Sequence, residues 1–277
     1  MKNRDIVYFL RPKNINDFEK DFEKVAGVGI SSVVFASRMG EFNMLEKKDL
    51  GKALKIFSVL GLKTPAVHGL FGEEFDPNLP DESRRENMLE KHRIFLENSA
   101  EAGCLTYVVH SGQRHAAYSE DFLWDQVRKA MDKLIPFAEK QNIVIALENA
   151  NPGHLGDDSK ALAAIAEEFA SPFLRLCFDS GHAHRAEDEL TVFYNMAPYL
   201  ATCHLHDNDK SADQHMLPGH GTINWNLLIT KIKDCKTLFH VETEAFNIEG
   251  WSHEEIIEHY RKLLMVENIS KELTKNG

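Results

Sequence analysis

Cysteine is scarce and scattered in this sequence. The four cysteines, Cys104, Cys177, Cys203 and Cys235, form no CxxC pair. A thiolate zinc site is therefore not expected, and the thiols read as reduced and buried. No run of about 18 apolar residues occurs, so no membrane span is expected. The N-terminal stretch MKNRDIVYFLRPKN has no apolar segment of signal length, and a cytoplasmic protein is the expectation. Glycine-rich phosphate loops are also missing. Neither GxGxxG nor GxxxxGK[ST] is found, so a nucleotide-binding fold has no positive support. Positive charge is in deficit, with a formal net charge of −11 at pH 7. Such a chain gains nothing from the general attraction that drives nucleic-acid binding, so nucleic acid is not an expected partner.

What is present is enough apolar material for one large core. Of 277 residues, 43% are hydrophobic, and no disulfide staples are needed at this length. Short β-branched runs alternate with longer amphipathic segments. The runs are Ile6–Leu10, Ser32–Ala36, Thr64–His68, Thr106–His110, Ile143–Glu148, Leu174–Asp179, Ala201–His206 and Leu238–Glu242. Between them, Val127, Ala130, Met131 and Leu134 fall at i, i+3, i+4 and i+7, as do Leu162, Ile165, Ala166 and Phe169. Each set forms one apolar helix face. Gly61, Gly103 and Ser171-Pro172 are helix stops, and Asp121, Asp157 or Asp158, and Asn224 are candidate N-caps. Strict alternation of strand and helix predicts parallel strands with right-handed crossovers. Eight units over residues 1–277 predict one α/β domain, a (β/α)8 TIM barrel with a parallel eight-stranded barrel and outer helices. An open doubly wound sheet is the alternative.

The 14 histidines matter for where they fall. Six of the eight runs close on a polar residue: AVHG (His68), VVHSG (His110), ALENAN (Glu148), CFDSGHAH (Asp179, His182), CHLHDND (His204, His206) and HVETEA (Glu242, Glu244). In a β/α barrel the C-terminal strand ends converge on one mouth. Buried carboxylates there repel one another unless a cation or partners compensate. Glu148, Asp179, Glu242 and one imidazole, His204, complete a candidate metal site. Its mixed N/O ligation suits Mn2+, Zn2+, Co2+ or Fe2+. One ion is the expectation. Asp213 and His215, two apart in a loop, would share one side of an extended segment. His182, His184, His206 and Glu244 are further candidates, and His206 can serve a ligand by hydrogen bonding instead of binding metal.

Taken in order, LEN, FDSGHAH, HLHDN, DQH with PGHG and INW, and VET resemble the xylose isomerase-like TIM barrel superfamily, from about the third run to the eighth. That superfamily holds sugar and sugar-phosphate isomerases and epimerases and the related endonuclease IV. In the epimerase branch the resemblance implies one divalent ion on Glu148, Asp179, His204 and Glu242, with the two glutamates as the acid/base pair. In endonuclease IV three zinc ions also use the residues matching His68, His110, His182, Asp213 and His215. This sequence carries all nine. The family often has Glu where His220 stands in PGHG, which puts the local hydrogen bonding of that turn in question. The resemblance also implies a homo-oligomer.

The expected function is that of a metal-dependent isomerase or epimerase of a ketose or ketose phosphate. Proton transfer by Glu148 and Glu242 would pass through a metal-stabilised enediolate. His182, His68 and His110 would contact substrate. Arg114 and Lys210, with His115 and Arg185, would hold a phosphate, and Trp225 and Phe71 would shape an apolar wall. The alternative is an endonuclease IV-like multi-zinc phosphodiesterase acting on abasic DNA. Only scattered basic residues, such as Arg84, Arg85 and Arg114, are available for duplex phosphates.

Overall fold

The computed structural model describes residues 5–10, 18–246 and 248–265. Eight strands form a closed barrel: β1 (Asp5–Tyr8), β2 (Ser32–Ala36), β3 (Lys63–His68), β4 (Thr106–His110), β5 (Val144–Glu148), β6 (Leu174–Asp179), β7 (Leu200–Leu205) and β8 (His240–Thr243). Every neighbouring pair is parallel, and β1 closes the ring against both β2 and β8. A two-stranded hairpin, Arg38–Met39 with Phe42–Asn43, follows β2. The helices are α1 (Phe18–Gly27), α2 (Lys47–Leu60), α3 (Glu82–Glu101), α4 (Glu120–Gln141), α5 (Ser159–Phe169), α6 (Ser180–Ala186), α7 (Glu189–Met196), α8 (Trp225–Asp234) and α9 (His253–Met265). The predicted (β/α)8 barrel is the observed architecture.

Strand alternation explains the two kinds of core. Outward side chains such as Val109, Leu147, Phe178 and Cys203 join one large apolar cluster with the helices. Inward positions form smaller clusters, Val108, Val144, Ala146, Cys177 and Ala201 on one side and Val7, Val34 and Ala66 on the other. The barrel is thus filled, not hollow, below its mouth.

Several boundaries differ from expectation for local reasons. β7 begins at Leu200 and ends at Leu205, one residue earlier than its apolar run. β8 begins at His240, because the ladder with β1 starts only there. The N-cap of α4 is Ser119, whose hydroxyl accepts from Phe122 N; Asp121 lies inside the first turn, where its charge suits the helix dipole. Asp158 caps α5, and Gly61 ends α2 in the left-handed region (φ 67°). Three cysteines are buried and Cys235 is half-buried, and the four are not joined in disulfides. Among the described residues no helix is long and apolar enough to cross a membrane.

Candidate metal centre

Parallel register brings the strand ends level. His110 pairs with Glu148 across β4 and β5, Asp179 with His204 across β6 and β7, and Glu242 with His204 across β8 and β7. Residues far apart in sequence therefore share one mouth. Glu148, Asp179, His204 and Glu244 each offer a ligand atom, and these atoms all lie within 4.8 Å of one another. All four residues are buried. Nδ1 of His204 is 3.2 Å from Glu148 Oε1, 3.1 Å from Glu244 Oε2 and 3.9 Å from Asp179 Oδ2.

Glu242, the fourth ligand expected from the sequence, is not one of these four. Its Oε1 accepts from Thr202 Oγ1 at 2.7 Å, and its Oε2 is 3.4 Å from the other ring nitrogen of His204, Nε2. Glu244 takes the mouth position instead. Side chains on a strand alternate, so residues 242 and 244 point the same way at different heights. Sequence pattern fixes the face but not the height.

A second group surrounds the first. His206 Nε2 is 3.0 Å from both oxygens of Asp179. Asp179 also caps α6, accepting from His182 N at 2.7 Å, which is why His182 follows it by three residues. His182 Nε2 lies 3.3 Å from Asp213 Oδ2, and His215 Nε2 lies 3.2 Å from the same oxygen. His215 adopts a positive φ of 49° and is held through Nδ1 by the Glu244 carbonyl at 2.9 Å. Further sets able to grip an ion are Asp179, His182 and His206; His206, Asp213 and His215; and His68, His110 and Glu148.

Three observations test whether a cation fits. First, Glu148 Oε2, Glu244 Oε2 and Asp213 Oδ1 are buried oxygens with no hydrogen bond of acceptable geometry. His110 Nε2 stands 3.1 Å from Glu148 Oε2 all the same, so proximity there is not a directed bond. Native interiors rarely leave such oxygens unsatisfied. Second, carboxylates whose ligand oxygens lie within 4.8 Å of one another repel by about 3 kcal/mol even at an effective dielectric near 20. Third, the donor set is hard oxygen plus imidazole, which matches divalent first-row ions. Cys177 also reaches His204 and Glu148, but burial pushes its thiol well above the usual range, so it stays a neutral neighbour. The residues present fit a divalent cation.

Without such an ion the histidines take the compensating charge. Burial opposes ionisation of Glu148, yet His204 and His110 hold its carboxyl well below the usual range. The same contest sets Glu244, lowered by His204. Burial alone would lower His204, but the carboxylates of Glu244, Glu148 and Glu242 beside it raise it well above its ordinary value. His182 is raised likewise by Asp179, Asp213 and Glu148 against its own burial. His68 goes the other way, because burial and the nearby His110 both lower it.

A cavity of about 990 Å3 opens above the ring, with His68, His110, Glu148, Asp213 and Glu244 in its lining and the half-exposed Phe71 at its wall. His68 stacks on Phe9 and meets Phe71 and His110 edge-on. Several other expected residues are occupied elsewhere. Arg114 forks onto Asp157 at 2.7 Å for each nitrogen and also meets Glu120. Lys210 Nζ donates to the Glu187 carbonyl at 3.5 Å. Arg185 binds Asn151, Arg84 meets Glu73, and buried Arg85 binds Gln126 and the Leu79 carbonyl. None of these five lines the cavity. Nor does His115, whose Nε2 is buried without a hydrogen bond. Trp225 donates Nε1 to Asp207 at 2.7 Å and so braces the loop after β7 instead of walling the cavity. His184 is paired with Glu189 at 2.8 Å, and His220 packs edge-on against Trp251 and His259.

Gly181 supplies a local test. A Cβ there would lie 2.0 Å from His206 Cε1, and that ring is fully buried between Asp179 and His215. Gly181→Ala is expected to displace His206 and weaken Zn2+ binding at least about tenfold in a competition titration. Unchanged affinity would remove His206 from the centre.

Comparison with known proteins agrees with the barrel fold. The family model described as xylose isomerase-like TIM barrel matches residues 22–264, and the chain belongs to that family. Among solved structures, a D-tagatose 3-epimerase-like protein is similar at a TM-score of 0.79 and 21% identity, covering 94% of this chain and 98% of its own. The 3-keto-D-glucoside 4-epimerase YcjR from E. coli is similar at a TM-score of 0.78 and 17% identity, over 94% and 99%. Among curated relatives, a probable endonuclease 4 of Mycoplasma mobile is 29% identical over 141 residues, which span 46% of this chain and 50% of that protein.

Proposed function

We propose that this chain is a divalent-metal-dependent isomerase or epimerase acting on a ketose or ketose phosphate. The observation that carries the reading is the pair Glu148 and Glu244, within 4.8 Å of each other and both lining the cavity. Glu148, Asp179, His204 and Glu244 would hold the ion, with Mn2+ or Zn2+ favoured and Co2+ or Fe2+ also compatible. When bound, such an ion polarises a substrate carbonyl and acidifies the neighbouring C–H. One glutamate of the pair takes that proton; the other, once it has drawn a proton from solvent, returns it to the enediolate of the substrate, and the first then releases its proton to solvent. Return to the opposite face inverts the carbon, and return to the adjacent carbon shifts the carbonyl. Burial opposes ionisation of both carboxyls, but His204 with His110 and His182 at Glu148, and His204 with His206 at Glu244, together hold them below the usual carboxylate range, so either can begin as the base. His68, His110 and His182, all in the cavity lining, orient the hydroxyls. The likeness to sugar epimerases and the apolar wall at Phe71 support a small sugar.

The endonuclease reading keeps one specific support. Three further ligand sets adjoin the central one, and a probable endonuclease 4 is among the relatives. Elemental analysis separates the two, with about one equivalent expected for the sugar enzyme and about three for the multi-zinc site. The decisive assay is solvent deuterium entering the carbon next to the carbonyl of a processed ketose. Cleavage of an abasic-site duplex with no exchange on any sugar would reverse the order.

A further inference from the structure

We propose that Glu242 is a positioning residue that holds His204 from below by Nε2, so that Nδ1 faces the ion. This rests on the metal-centre reading above. The orientation of His204 is the first observation. Its Nδ1 stands 3.1 Å from Glu244 and 3.2 Å from Glu148, on the ring side. Its Nε2 is on the opposite edge, 3.4 Å from Glu242 Oε2. The second observation is the seat of Glu242 itself. Oε1 accepts from Thr202 Oγ1 at 2.7 Å and lies 3.3 Å from His240 Nε2. His240 in turn lies 3.1 Å from Thr106 Oγ1. All five side chains are buried, and Glu242 does not line the cavity that Glu148 and Glu244 share.

A carboxylate so enclosed has no route to a substrate carbon. Its second oxygen lies 3.4 Å from the imidazole Nε2, while its first accepts from Thr202 and lies 3.3 Å from His240. A carboxylate accepting the distal N–H of a metal-bound histidine fixes the tautomer, restrains the ring and makes the ligating nitrogen a better donor. Glu242 and His204 are directly paired in register, so this contact is set by the barrel ladder and not by a loop. The sequence HVETE therefore encodes two glutamates with separate tasks. Glu244 meets the ion, and Glu242 meets the histidine that meets the ion.

The test uses the full chain labelled with 15N-histidine and loaded with 113Cd2+. One-bond cadmium coupling is expected at Nδ1 of His204, with Nε2 retaining its proton. Coupling at Nε2, or bound cadmium with no coupling to His204, overturns the inference. No bound cadmium at all removes the metal reading and this inference with it. A variant pair adds a second readout. Glu242→Leu should weaken Zn2+ binding about 10- to 100-fold, and Glu242→Gln should recover much of the loss because its amide oxygen still accepts the N–H. Equal affinity in wild type and Glu242→Leu overturns it as well.

Discussion

Glu148→Gln and Glu244→Gln are each expected to lower turnover of the processed sugar by about 10^2- to 10^4-fold, the range a positioned acid or base supplies. Glutamine keeps the shape and one acceptor oxygen but cannot take a proton. The fold should survive. Each substitution removes one of several crowded negative charges, and the barrel packing around Ala146 and Leu147 is untouched. In chelator-treated protein the melting temperature should stay level or fall by a few degrees, because the lost charge gives up repulsion from its neighbouring carboxylates and also its pairing with His204. The contrast with Glu242 is the informative part. That residue has no access to the cavity, so Glu242→Gln should mostly affect metal affinity. A wild-type rate in either Glu148→Gln or Glu244→Gln, measured with saturating metal, would take proton transfer away from that residue.

Stripping the metal should make stability depend on pH in a direction the site dictates. His204 and His182 are raised above their ordinary values, and His110 and His215 are raised as well. A raised histidine stabilises the fold fully below its unfolded value, near 6.5, and the contribution is lost as pH rises through its folded value. Glu148, Glu242, Glu244 and Asp213 are lowered, Glu242 to about 2. Their contribution is present above the usual carboxylate range and is lost only in strong acid. Between pH 6 and pH 9 the histidines decide. Metal-free protein should therefore melt at progressively lower temperature across that window, as the buried carboxylates lose their counter-charges. A bound divalent ion replaces those protons, so its stabilising effect should grow with pH. Thermal melts with and without Mn2+ at pH 6, 7.5 and 9 measure this. A metal-induced shift that is the same at all three would mean that the ion and the protons do not compete for these groups.

The barrel was legible in the sequence because its causes are local. Runs such as Ser32–Ala36, Thr106–His110 and Leu174–Asp179 match their strands residue for residue, since each is a short, mostly apolar stretch set off by polar or glycine-containing segments. Helix stops were similarly local, as Gly61 shows, while the cap of α4 was misjudged because Ser119 and Asp121 are equally good capping residues two positions apart. The convergence of His68, His110, Glu148, Asp179 and His204 followed from the fold once strand order was granted.

Sequence alone determined the fold class, the face on which each polar strand end lies and the acidic, imidazole-rich chemistry of the barrel mouth. Only the tertiary structure decided depth and partnership. It brought Glu244 beside Glu148 and set Glu242 against the far nitrogen of His204, and it bound Arg114 to Asp157 and Trp225 to Asp207. The reason is physical. A residue's face follows from a period of two along its own strand, but its height and its partners follow from register between strands and from loops that meet only when the ring closes.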